Sequence, residues 1–324
     1  MEMDLLSGAG SMIEGRELTK IYKPEHLWAK PTIAVDNVDI TIHEGEILAL
    51  VGESGSGKST LGRLLLCLIP PTKGTLLYKD QDLSQLKKKD LRSLRKIFQI
   101  VQQHPDDALN GKWTIADSIL EPFRVHPDCI SDKGLEDDLK RLIDLVGLDA
   151  EQVKRYPHQL SGGELQRAVF ARAIALKPRF IVCDEPTSML DVSIQASLIR
   201  LLKQLHEELN FTCLYITHDL KLARVISDRV AVMFGGHIIE EGIGILDDPL
   251  HPYTRRLIQA EDDSLPDIPE EIIPDEDICV YYPFCSYRNE MCREKQVLRP
   301  YKNRRIACAL AGTLEGAANK SSSE

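Results

Sequence analysis

Long apolar runs are missing from this chain. The longest candidate, Leu64 to Ile69, stops at Pro70 and Pro71, well short of the roughly 18 residues that cross a bilayer. Any membrane association is therefore expected through another chain. An excess of positive charge is missing too: 40 Lys and Arg stand against 50 Asp and Glu, giving a formal net charge of -10. That balance argues against a broad face gripping phosphate backbones, so nucleic acid is not an expected partner. The opening MEMDLLSGAGSMIEG has neither the basic start nor the long apolar core of a secretory signal, and reads as the flexible start of a cytosolic protein. At 324 residues the chain has room for one large core and an appended module.

Against these absences stands Gly52 to Thr60, GESGSGKST. The apolar run Ile47 to Val51 before it suits a buried parallel strand, and LGRLLLCLI after it suits a packed helix. Gly52, Gly57, Lys58 and Ser59 fit the spacing of a phosphate-binding loop, whose glycines let successive backbone N–H groups turn toward an anion. Ser54, Gly55, Ser56 and Thr60 complete that cradle. Lys58 is expected to reach the terminal phosphates of a nucleoside triphosphate, and Ser59 to hold magnesium. Residues 16–51 alternate as antiparallel strands, interrupted by KPEHLWAKP, and Tyr22 or Trp28 is a candidate to stack on a purine.

Further along, the lysine-rich QLKKKDLRSLRK reads as a solvated face, followed by the apolar run Ile97 to Val101. Residues 106 to about 160 turn helical in period, with Leu135, Leu139, Leu142, Ile143 and Val146 on one stripe. In LSGGELQRAVFARAIALKP a helix is expected over Glu164 to Leu176, stopped by Pro178, with Ser161, Gly162 and Gly163 before it as an anion-binding N-terminus. The strand candidate Phe180 to Cys183 ends in Asp184 and Glu185. Carboxylates at a parallel strand's C-terminal end face the crevice where a phosphate loop opens, so Asp184 suits magnesium and Glu185 suits a water molecule. Cys213 to Ile216 forms a third such strand, leading to His218 as a candidate phosphate contact.

Taken together, these motifs resemble the nucleotide-binding subunit of an ABC transporter. The likeness spans residues 14–258 and is carried by the phosphate loop, a glutamine loop, the LSGGELQR signature, the Asp184–Glu185 pair, the following Ser188-Met189-Leu190-Asp191 loop and His218. It implies an α/β P-loop NTPase with a RecA-like mixed sheet core, an antiparallel β subdomain and a helical subdomain inserted over 106–165. It also implies ATP held between the phosphate loop of one subunit and the Ser161–Glu164 signature of another, with Lys58, Glu185 and His218 catalytic and Glu185 the general base. Ser59 and Asp184 become magnesium ligands. The family's glutamine aligns with Gln103, leaving Gln102 open, and would sense magnesium and couple the site to membrane subunits. Implied partners are a second ATPase, either a copy or a paralogue, two transmembrane permease subunits and an extracytoplasmic solute-binding protein, placing this chain peripherally on the cytoplasmic face of the membrane.

Ala108-Leu109-Asn110 and DDPLHPYTRRLIQA resemble the oligopeptide, dipeptide and nickel branch of that family. Peptides are the expected cargo, with nickel or another small solute as the alternative and a soluble ABC ATPase as a further one. Four of the eight cysteines, Cys67, Cys129, Cys183 and Cys213, are scattered and read as structural. After an acidic linker over 259–278, Cys279, Cys285, Cys292 and Cys308 crowd into a small extension ending near 310, followed by a flexible tail. In relatives this arrangement accompanies a four-iron iron-sulfur cluster. Gaps of five, six and fifteen residues lack the close pairs usual in structural zinc sites, although zinc stays open as the alternative.

Overall fold

The computed structural model describes residues 10–23, 31–83, 86–188, 190–262 and 278–313. The flexible start, Trp28, Met189, most of the acidic linker and the tail from 314 lie outside the described residues. In chain order come strands β1 (Ser11–Tyr22), β2 (Thr32–His43) and β3 (Ile47–Val51), helix α1 (Lys58–Leu65), strands β4 (Lys73–Tyr78) and β5 (Gln81–Asp82), helix α2 (Lys88–Ile97) and strand β6 (Phe98–Val101). Four helices follow: α3 (Pro105–Ala108), α4 (Ile115–Val125), α5 (Leu135–Val146) and α6 (Gly162–Ile174). The remainder is β7 (Phe180–Asp184), α7 (Val192–Leu209), β8 (Thr212–Thr217), α8 (Leu220–Ile226), β9 (Arg229–Phe234), β10 (His237–Gly242), α9 (Pro252–Asp262), β11 (Arg299–Tyr301) and β12 (Arg304–Ile306). Among the described residues no helix is long and apolar enough to cross a membrane.

The chain divides into two compact units. The first comprises 43–45 and the stretch to Tyr215, and so holds α2 through α7. Its strands β6 and β7 run parallel, with Phe98 opposite Phe180 and Val101 opposite Cys183. Among its described side chains helix α2 buries only Leu94, as a lysine-rich solvated face should. Helix α5 turns Leu142, Ile143 and Val146 inward, leaves Leu135 and Leu139 half-buried, and ends at Gly147 in the left-handed conformation. Helix α6 starts two residues earlier than its pattern suggests, because Ser161 caps it, and stops at Ile174 ahead of the left-handed Lys177. Apolar side chains surround it, from Leu165 through Phe170 to Ile174.

The second unit comprises 10–42, 46–84 and everything from Ile216. One sheet, ordered β2-β1-β4-β5, is antiparallel between β1 and β4 and between β4 and β5, and buries Ile13, Leu18, Val35, Ile40 and Ile42. A mixed layer runs β3-β9-β10-β12-β11. All five residues of β3 are buried, and β3 pairs parallel with β9, Leu48 opposite Arg229 and Val51 opposite Val232. That continuous aliphatic run is what a strand covered on both faces requires. The pairings of β10 with β9 and with β12 are antiparallel. Two carboxylates on β10 are buried against arginines: Glu240 meets Arg304 at 3.2 Å, and Glu241 meets Arg305 at 2.9 Å and Arg229 at 3.4 Å. Val51, Val232, Phe234 and Tyr253 share one apolar core with Cys279, Tyr281, Cys285 and Cys292, so the cysteine-rich segment is packed into this unit.

Candidate functional site

Strand β3 delivers the chain at Gly52, where φ is +153° and a Cβ would sit 2.2 Å from the Met233 carbonyl oxygen. Gly57, at φ +104°, would bring a Cβ to 2.1 Å from the Ala34 oxygen. Both positions need glycine, since a side chain meets strain and backbone together. Gly57 caps α1 without any side-chain hydrogen bond, so the helix opens on bare backbone. Ser54 and Gly55 are exposed, Ser56 is buried, and Ser59 and Thr60 are half-buried in the first turn of α1. The buried Lys58 ammonium donates to the carbonyl oxygens of Gly52 at 2.8 Å and Glu53 at 2.7 Å, with Ser56 Oγ at 3.5 Å. A fixed cation and helix amides on one turn suit an anion.

The ring candidate is Tyr22, exposed at the end of β1 with Lys20 Nζ 5.4 Å over its face. His218, also in the second unit, is exposed just beyond β8, and Asp219 after it caps α8 by accepting from Leu222 N–H.

The first unit gathers its own set. Half-buried Gln103 directs Nε2 to Glu185 Oε2 at 3.4 Å and to Ser188 Oγ at 3.3 Å, whereas Gln102 is exposed. Asp184 ends β7, and Glu185 follows in the left-handed region at φ +48°. A non-glycine residue held there costs on the order of 1 kcal/mol, which the surrounding turn must offset. Ser188 helps by donating both N–H and Oγ to the Glu185 carbonyl. Ser161 caps α6 by accepting from Glu164 N–H, and the Glu164 carboxylate accepts from Ser161 N–H and Oγ, each at 2.8 Å. These two donors hold the Glu164 carboxyl below its usual range. A Cβ on Gly162 would meet Leu190 and one on Gly163 would meet Ile194, each at 2.8 Å, so the two glycines let α6 lie close to the start of α7. Asp191 caps α7 through Ile194 N–H.

The ABC transporter family profile matches residues 35–188. The oligopeptide transport ATP-binding protein AppF of Bacillus subtilis is 46% identical over 230 residues, 70% of each chain. The OppF proteins of Streptococcus mutans and Escherichia coli are 44% and 41% identical, over 70% and 74% of this chain and 74% and 73% of their own. The chain belongs to the ABC transporter ATP-binding proteins. Its fold matches the ATP-binding cassette MJ0796, solved as a dimer bound to ADP and Pi, with a TM-score of 0.64 and 29% identity over 72% of this ABC subunit and 98% of that cassette.

Cys279, Cys285, Cys292 and Cys308 of the ABC subunit all line one small cavity of about 10 Å³, together with His251, Tyr281 and Leu310. Burial pushes the thiols of Cys279, Cys285 and Cys308 up, the last to about 11. Among the described residues no group of three or more His, Cys, Asp or Glu is gathered to hold a single metal ion. The donor chemistry, four thiols on one apolar cavity, fits a cluster with one thiolate per iron. The cavity itself is water-sized, so its walls would have to part around such a cluster. Of the scattered cysteines, Cys183 and Cys213 are fully buried with sulfurs 4.0 Å apart, while Cys67 and Cys129 are half-buried.

Two residues make contacts with no signal in the motifs. Ser188 was expected only as part of a loop, yet it touches both Gln103 and Glu185. Tyr253, a mere branch marker in the sequence, is fully buried and accepts a hydrogen bond from Glu53 N–H of the phosphate loop at 3.1 Å.

Proposed function

We propose that this chain is the ATP-hydrolysing subunit that energises import of peptides through separate membrane subunits. The observation that carries hydrolysis is Lys58, a buried ammonium fixed by two loop carbonyls at the opening of α1. Support for peptides comes from the relatives, named for oligopeptide transport.

ATP lies with its phosphates on the Gly52–Thr60 loop and its base against Tyr22, and Lys58 takes charge from the terminal phosphates. Ser59 and Asp184 supply oxygen ligands to magnesium, and Gln103 completes that set. Held by these residues, magnesium would supply positive charge against the transferred phosphoryl group. Glu185 positions a water and accepts its proton, while Gln103 steers that carboxylate through the contact described above. His218 donates to the terminal phosphate. Ser161, Gly162, Gly163 and Glu164 act on the nucleotide of a second ATPase chain, copy or paralogue, and Asp191 lies at the same junction. Two permease subunits and an extracytoplasmic solute-binding protein complete the complex, so the chain works as a peripheral subunit on the cytoplasmic face. Cys279, Cys285, Cys292 and Cys308 hold a [4Fe-4S] cluster.

Glu185→Gln tests the chemistry: ATP binding stays within about twofold while turnover of the assembled complex falls by about 100-fold or more. Turnover near the native rate would remove Glu185 as the base. Anaerobic purification followed by iron and sulfide analysis tests the tail, and stoichiometric zinc without iron would defeat the cluster.

A further inference from the structure

The phosphate loop is supported from outside its own motif. The peptide group joining Gly52 to Glu53 is held in two directions: its N–H, from Glu53, is held by the Tyr253 hydroxyl at 3.1 Å, and its carbonyl, from Gly52, accepts from Lys58 Nζ at 2.8 Å. Tyr253 has no exposed surface, so its hydroxyl cannot trade this donor for bulk water without a change of packing. The ring is clamped by two aromatic neighbours. Phe234 from β9 lies 4.5 Å away centroid to centroid, Tyr281 lies 5.5 Å away, and Tyr281 in turn packs edge-on to Phe234 at 5.2 Å and beside Phe284 at 6.0 Å. Tyr281 and Phe284 belong to the cysteine-rich segment, between or beside Cys279 and Cys285. A second route leads the same way. Lys295 reaches Asp36 at 3.2 Å, Asp36 N–H donates to the Gly236 oxygen, and Gly236 N–H donates to the Ser56 oxygen at 3.0 Å.

We infer that Tyr253 is a positioning residue for the phosphate loop, and that through it the packing of the cysteine-rich segment sets the affinity for nucleotide. The physical reason is geometric. Moving Tyr281 frees the Tyr253 ring, a freed ring releases Glu53 N–H, and the Gly52 carbonyl that helps fix the Lys58 ammonium moves with the same peptide plane. The inference rests on the ATP-binding reading above, and the two fail separately in one experiment.

The full-length chain is titrated with a fluorescent ATP analogue, and amide exchange is followed across residues 52–58. Tyr253→Phe keeps the ring and removes only the hydroxyl. Its melting temperature should stay close to the native value, while its Kd for the analogue rises about five- to tenfold and Glu53 N–H exchanges faster, as loss of one buried hydrogen bond predicts. Tyr281→Leu keeps the hydroxyl but loosens its support, and should raise Kd about threefold with the same exchange signature. If the native chain binds the analogue and Tyr253→Phe matches it within twofold with unchanged exchange at Glu53, the inference is overturned. Failure of the native chain to bind would instead defeat the ATP reading.

Discussion

Two helix openings in this molecule look alike in sequence and differ in construction. At α1 the cap is Gly57, with φ +104° and no side-chain bond, and the loop's own carbonyls fix the Lys58 ammonium beside it. At α6 the cap is Ser161, and its N–H and hydroxyl already serve the chain's own carboxylate on Glu164. The first opening is arranged around a fixed cation with no capping side chain over the helix start, as an anion cradle requires. The second satisfies its donors internally and stays exposed at Ser161 and Gly162, which suits a surface that meets its anion only when something else brings it. One glycine-rich turn binds by default, the other by exchange of partners.

That contrast can be broken most sharply at Gly57. Gly57→Ala places a Cβ 2.1 Å from a backbone oxygen at positive φ, so it should cost about 3 kcal/mol of stability and abolish nucleotide binding, read by thermal melting and titration. An alanine that leaves both unchanged would show the loop to be far softer than its geometry. Ser161→Ala should cost only about 1 kcal/mol as a lost cap. ATP binding to the unassembled chain should survive, while turnover of the paired ATPases drops at least about tenfold; loss of binding in the lone chain would erase the distinction between the two turns.

The smallest effect concerns the support of the first turn. His237 Nε2 at 3.0 Å and Lys295 Nζ at 3.2 Å hold the Asp36 carboxyl down at about 2. A carboxyl depressed when folded stabilises fully above its unfolded value near 3.8 and loses that contribution as pH falls through about 2. Native protein should therefore lose stability between pH 4 and 2, and Asp36→Asn should flatten that slope by about 1 kcal/mol after solvent screening. An unchanged slope in acid denaturation would mean the triad contributes nothing.

The local parts of this site were legible because their chemistry is spaced along the chain. Gly52 to Ser59 is one turn, Ser161 to Glu164 is one capping box, and Asp184 with Glu185 ends one buried strand. What stayed hidden depends on distance along the chain: Tyr253 lies 200 residues from Glu53, and Lys295 lies 259 from Asp36. No periodicity or motif encodes such pairs, since the residues beside Tyr253 carry no sign of what its hydroxyl meets. Backbone strain at Glu185 was equally silent, because φ +48° on a glutamate is imposed by the turn around it.

The hairpin of β11 and β12 has a bearing on how this chain behaves among its own copies. Strand β10 would otherwise be an open edge, a row of unpaired amides and carbonyls ready to recruit any extended segment. Residues 304–306 occupy that row, and their arginines reach the two acids buried on β10. Trimming the chain before residue 278 would therefore do more than delete a cysteine motif: it would expose a sticky ledge with Glu240 and Glu241 short of countercharge, inviting strand-to-strand aggregation.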